Sequence, residues 1–134
     1  MTAQLLHELL ELEKKFSARL AEVMNLSRDL QDAIDRQDQV TVEMMLSMRQ
    51  RPILELQEIS NYIELKRLGL TAEDEDRFDE LIDGAPAKHP DEFPIAEQVA
   101  SNRRLLERVT ELDAQINQKL CGEKSFYLSQ RAEP

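Results

Sequence analysis

Along most of this chain apolar residues recur every three or four positions, and short polar stretches break the rhythm. In residues 2–36 the recurring positions are Leu5, Leu9, Leu12, Phe16, Leu20, Val23, Leu26 or Met24, Leu30 and Ile34, one face of a helix with 3.6 residues per turn. Leu6 and Leu10 widen that face near its start, so this end is expected to touch two neighbours. The corner Asp35-Arg36-Gln37-Asp38 interrupts the pattern without glycine or proline, and Asp38 is placed to cap a second helix over 38–68. Its stripe reads Val42, Met45, Met48 or Arg49, Pro52, Leu56, Ile59 and Ile63. Proline removes a backbone donor and crowds the preceding turn, so a kink is expected near residues 48–51, in preference to a break because the apolar period continues in phase on both sides. Gly69 is placed to end this helix. Thr71-Ala-Glu-Asp then has the form of a capping box opening a short helix, 71–82, whose thin apolar face is Phe78, Leu81 and Ile82. Residues 84–94 carry three prolines and read as a loop, with Asp91 as a cap for the final helix. That helix, 94–121, repeats Ile95, Val99, Asn102, Leu106, Val109, Leu112, Ile116 and Leu120, with Leu105 adding width. Gly122 is placed to end it.

Together these elements predict an all-α fold. It is an elongated antiparallel helical bundle of coiled-coil character, with three long helices and one short acidic one. The bundle occupies residues 1–122 as a single domain, and 123–134 are expected to form a flexible tail. Composition agrees: 134 residues suffice for one modest core, and 3 Gly, 5 Pro and no Trp leave little material for strands or tight turns. Charge sharpens the picture. The net charge is -10, and residues 71–93 hold nine acids against Arg77 and Lys88, a balance of -7 in one connection. Phosphate backbones and anionic lipid surfaces both demand clustered Lys and Arg, so nucleic acid is not expected as a partner. No apolar run approaches the ~20 residues of a membrane span, so no membrane insertion is expected either. A single cysteine, Cys121, excludes an internal disulfide and fits a reducing compartment. The start of the chain lacks the basic, then apolar, pattern of a signal peptide, and a cytoplasmic location is the expectation.

Candidate chemistry is sparse. The acidic run 74–83 places Phe78 and Asp79 where a calcium loop needs its fifth ligand and its glycine, so it reads as a solvated helix face. His7, His89 and Cys121 show no metal-ligand spacing, and three glycines cannot build a phosphate-cradling loop. No nucleophile with a base and an orienting group is visible. Neither a cofactor nor a metal is expected, and the chain reads as a non-enzyme. Two apolar features remain open between core and contact surface: the methionines Met24, Met44, Met45 and Met48 near the corner, and the stripe Leu105, Leu106, Val109, Leu112, Ile116 and Leu120 on the last helix. Such a stripe either packs inside the bundle or borders a groove for a partner's amphipathic helix.

The segment LQDAIDRQDQVTVEMMLSMRQRPILELQEI, residues 30–59, resembles the hairpin of the bacterial flagellar export chaperones of the FlgN type, which are FlgN/FliT-like helical proteins of type III export. It has the short polar corner, a basic pair in the second helix (Arg49, Arg51) and a leucine-rich turn after it (Ile53, Leu54, Leu56). The segment NRRLLERVTELDAQINQKL, residues 102–120, resembles the final helix of that family, and Tyr127 resembles an aromatic residue just beyond it. Pro52 and the acidic insert 71–93 depart from the pattern. The resemblance implies a small cytoplasmic chaperone, without ATP hydrolysis of its own, for flagellum biogenesis. It would bind and mask the amphipathic C-terminal helices of hook-associated (hook-filament junction) proteins before secretion. The implied contacts are Leu105, Leu106, Val109, Leu112, Ile116 and Leu120, with Tyr127 facing the export apparatus. The competing expectation is a coiled-coil structural or adaptor module that forms a homo-oligomer and has no export client.

Overall fold

The computed structural model describes the backbone of residues 1–132 and the side chains of residues 1–122. Four helices make up nearly all of it: α1 (Ala3–Asp35), α2 (Gln39–Lys66), α3 (Ala72–Ile82) and α4 (Phe93–Ala132), with a 3₁₀ turn at Pro90–Glu92. Among the described residues there is no strand, and the all-α bundle read from the periodicity is what forms.

Each boundary has a local cause. Thr2 is extended and its hydroxyl accepts from the Leu5 N–H at 3.1 Å, which caps α1. Asp38 caps α2, accepting from the Thr41 N–H at 3.2 Å and the Thr41 hydroxyl at 2.6 Å. Between them the corner is closed by two bonds: Gln37 N–H donates to Ile34 C=O and Asp38 N–H to Ala33 C=O, both at 3.0 Å. That pairing requires a left-handed residue, and Gln37 supplies it with φ of 58°. Thr71 caps α3 by accepting from the Asp74 N–H at 3.2 Å. The Asp74 carboxylate does not complete the expected capping box, because it accepts from the Met1 amino group at 3.1 Å instead.

The helix continues through Pro52, as the in-phase apolar period leads one to expect: α2 runs unbroken from Gln39 to Lys66 with the proline ring buried. One lost backbone bond is outweighed because the apolar stripe stays in phase on both sides and packs on α1. Asp91 makes no side-chain hydrogen bond among the described residues, and its neighbour Glu92 folds inward instead. Gly122 lies inside α4 rather than at its end, since a glycine weakens a helix by about 1 kcal/mol without forbidding it. The tail expected over 123–134 falls outside the described side chains.

The core is built in layers. At one end Leu6 and Leu9 of α1 meet Ile63 near the end of α2, Phe78 and Leu81 of α3, and Ile95 and Val99 at the start of α4. Midway, Leu20 and Val23 meet Val109, with Phe16, Ile53, Leu56 and Leu105 against them. At the other end Leu30, Ala33 and Ile34 meet Val42 at the start of α2, and Leu112 and Ile116 of α4. Hence α2 runs antiparallel to α1, and α4 returns parallel to it. The central element is α1, along which both α2 and α4 pack; among the described residues the backbones of α2 and α4 do not approach each other. This leaves a seam between them. No helix among the described residues is long and apolar enough to cross a membrane.

Candidate partner-binding surfaces

The stripe on α4 divides. Val109, Leu112 and Ile116 are buried among residues of α1 and α2, so in the isolated chain these three are core. Leu105 and Leu120 are half-buried and pack on the same clusters. Leu106 alone of the six faces outward, 43% exposed. Tyr127 lies outside the described side chains. Leu106 is therefore accessible from outside, whereas Val109, Leu112 and Ile116 become accessible only if the bundle opens.

Leu106 stands at the rim of the seam between α2 and α4. There the structure forms a groove of about 260 Å³, floored by Glu13 and Phe16 of α1, with Ile63 on one wall, Val99 and Leu106 on the other, and Ile82 of α3 closing it. It is small for a cofactor but suited to side chains presented by a helix. Its charged floor has a clear cause. The Asn102 amide donates to the Glu13 carboxylate at 2.7 Å and to the Glu13 backbone carbonyl at 2.8 Å, which fixes a carboxylate that is only 7% exposed. Burial pushes the Glu13 carboxyl above its ordinary value, and the Asn102 hydrogen bond only partly offsets that.

A second polar layer crosses the bundle farther along. Arg49 reaches from α2 to donate to the buried Ser27 hydroxyl on α1 at 3.1 Å and to Asp113 on α4 at 2.5 Å. Its Nε is buried with no partner. Arg49 is thus a structural tie between helices that otherwise meet only through side chains over α1. Arg51, which the resemblance pairs with it, is solvent-facing.

Among the described residues, five of the nine acids in the acidic connection make ion pairs, one of them (Asp74) with the Met1 amino group, and the segment as a whole stays negative. Arg67 at the end of α2 bridges Glu75 and Asp79 of α3 at 2.7 and 2.8 Å. Arg77 grips Glu92 through two nitrogens at 2.6 and 3.1 Å, and also reaches Glu80 and the Pro86 carbonyl. The Arg77 guanidinium, joined by the Lys88 backbone N–H, holds the Glu92 carboxyl far down, at about 2. This ties the loop before α4 onto α3. Among the described residues no group of three or more His, Cys, Asp or Glu is placed to hold a metal ion.

The sequence reading missed the outer face of α2. Val40, Met44, Leu54, Tyr62, Leu65 and Leu68 are each half or more exposed. They recur at helical spacing opposite the inward stripe of Val42, Pro52 and Ile63, a second pattern that counting only one stripe per helix overlooks.

Compared with protein families, curated proteins and solved structures, the chain finds no match in any of the three.

Proposed function

We propose that this protein is a helix-binding chaperone of the flagellar type III export kind, acting in the cytoplasm without catalysis. It takes up the amphipathic C-terminal helix of a hook-associated protein and keeps that helix masked until secretion. The observation that carries this reading is the open groove between α2 and α4, with Phe16, Ile63, Ile82 and Leu106 lining it and no other element of the described chain covering it. The apolar edge of a client helix would enter that groove, and Arg103 on its rim, which makes no ion pair among the described residues, would meet an acid on the client's polar face. The resemblance of residues 30–59 and 102–120 to FlgN-type chaperones supplies the class of client.

The test is co-expression with the C-terminal segments of hook-associated proteins from the same genome. A defined complex is expected with one of them, and Leu106→Asp should weaken capture about tenfold or more while the circular dichroism stays unchanged. If none is retained by the wild-type chain, or if the Leu106→Asp chain retains it equally well, the groove reading is wrong.

A further inference from the structure

α2 is apolar on two opposite faces. One face packs on α1, and no described element packs along the other. Val40, Leu54 and Tyr62 are 79, 54 and 60% exposed, and with Met44 and Leu65 they form a stripe along about 38 Å of helix at ~1.5 Å per residue, with Leu68, 74% exposed, in the turn just beyond its end. Exposed apolar residues recurring along one face, rather than scattered singly, mark an interaction surface, so something covers this face.

We propose that the cover is a second copy of this chain, laid antiparallel along α2 about a two-fold axis near Leu54. Three observations select that occupant. The first is charge. The charges that interrupt the stripe include Arg51, which is 88% exposed and also reaches Glu55 of its own helix at 3.2 Å, and Glu58, placed almost symmetrically about Leu54. An antiparallel copy brings Arg51 within about a turn of Glu58 of the second copy, twice over, while a parallel copy would set like charge against like. The same arrangement lays Val40 and Met44 of one copy against Leu65 and Leu68 of the other. The second is long-range repulsion. Each chain carries a net charge of -10, concentrated in the connection beside the end of α2. Antiparallel pairing sends the two acidic corners to opposite ends of the dimer, about 40 Å apart against a Debye length of ~8 Å at physiological salt. The third is area. At these exposures the stripe offers on the order of 700 Å², close to the ~800 Å² each partner contributes to a standard interface.

The dimer leaves the groove between α2 and α4 uncovered, because that groove is lined on α2 by Ser60, Ile63 and Glu64, whereas Glu58 and Tyr62 lie on the other flank of the helix, beside Lys15, Ala18 and Arg19 of α1. It therefore stands independently of the client reading.

The experiment is light scattering and sedimentation of the full chain over a range of concentrations. The expected mass is twice the 15.5 kDa of one chain. Leu54→Glu is expected to yield a monomer of unchanged helicity, since that side chain already faces solvent. Arg51→Glu and Glu58→Arg should each weaken the dimer about tenfold or more. The decisive arm mixes those two variants: a heterodimer should form, because each then presents the charge that the other lacks. A chain that is monomeric at every concentration, a dimer indifferent to Leu54→Glu, or a mixture that stays dissociated would each overturn the proposal. So would a face that becomes protected only when a client helix is added.

Discussion

Gln37 sits in the left-handed region, where an L side chain crowds its own backbone at a cost of roughly 1–2 kcal/mol. It stays there because the two closing bonds to Ile34 and Ala33, and the Asp38 cap next to it, fix the corner from both sides. Gln37→Gly should relieve the strain at some expense in unfolded-chain entropy. The expected outcome is a gain of about 0.5–1 kcal/mol in urea denaturation, with no change in the slope of the transition. The opposite case is Gly84, with φ of 98°, where an added Cβ would come within 2.9 Å of Arg103. Residues of this kind were half legible in the sequence. Caps such as Thr2, Asp38 and Thr71 act on neighbours three positions away and can be read locally. Glu13 cannot: nothing around it signals burial, because its partner Asn102 is 89 positions distant.

An ion pair between α3 and the turn before α4 adds to the apolar packing of Phe78 and Leu81 on Ile95 and Val99. Glu92 is held at about 2 by Arg77, far below an ordinary glutamate at 4.5. The folded state therefore prefers the charged form, so this stabilisation is complete above about pH 4.5 and is lost as the pH falls towards 2. Amide hydrogen exchange should find α3 losing protection before α1 in that window. Arg77→Met should narrow the window and cost about 1–3 kcal/mol at neutral pH, because it leaves Glu92 buried without its counter-ion, held only by backbone N–H groups. If α3 and α1 lose protection together, the pair is not what anchors α3. At this scale the existence and order of the helices were plain from periodicity, and α2 shows where periodicity stops. It carries the helix through Pro52, but which of the two stripes of α2 is interior is settled by what packs against them.

The same limit governs the whole molecule. An apolar stripe on α4 was visible in the sequence, but whether it is interior or groove depends on how α1 and α2 lie over it. The structure puts Val109 inside and leaves Leu106 out. Val109→Asp should therefore destabilise by more than about 3 kcal/mol in thermal unfolding, whereas Leu106→Asp should stay within about 0.5–1 kcal/mol of the parent. Equal effects would mean that the two positions are not distinguished as described.

Glu13 with Asn102, and Arg49 with Ser27 and Asp113, fall between the three apolar clusters and cut the interior at two heights. Leucine-rich seams are nearly periodic, so one helix could slide by a turn, about 5.4 Å, and still find apolar company. The two polar rungs work as notches on a ruler. After such a slip Arg49 would face leucine and Glu13 would lose its amide, so only one alignment of the three rods closes both notches at once.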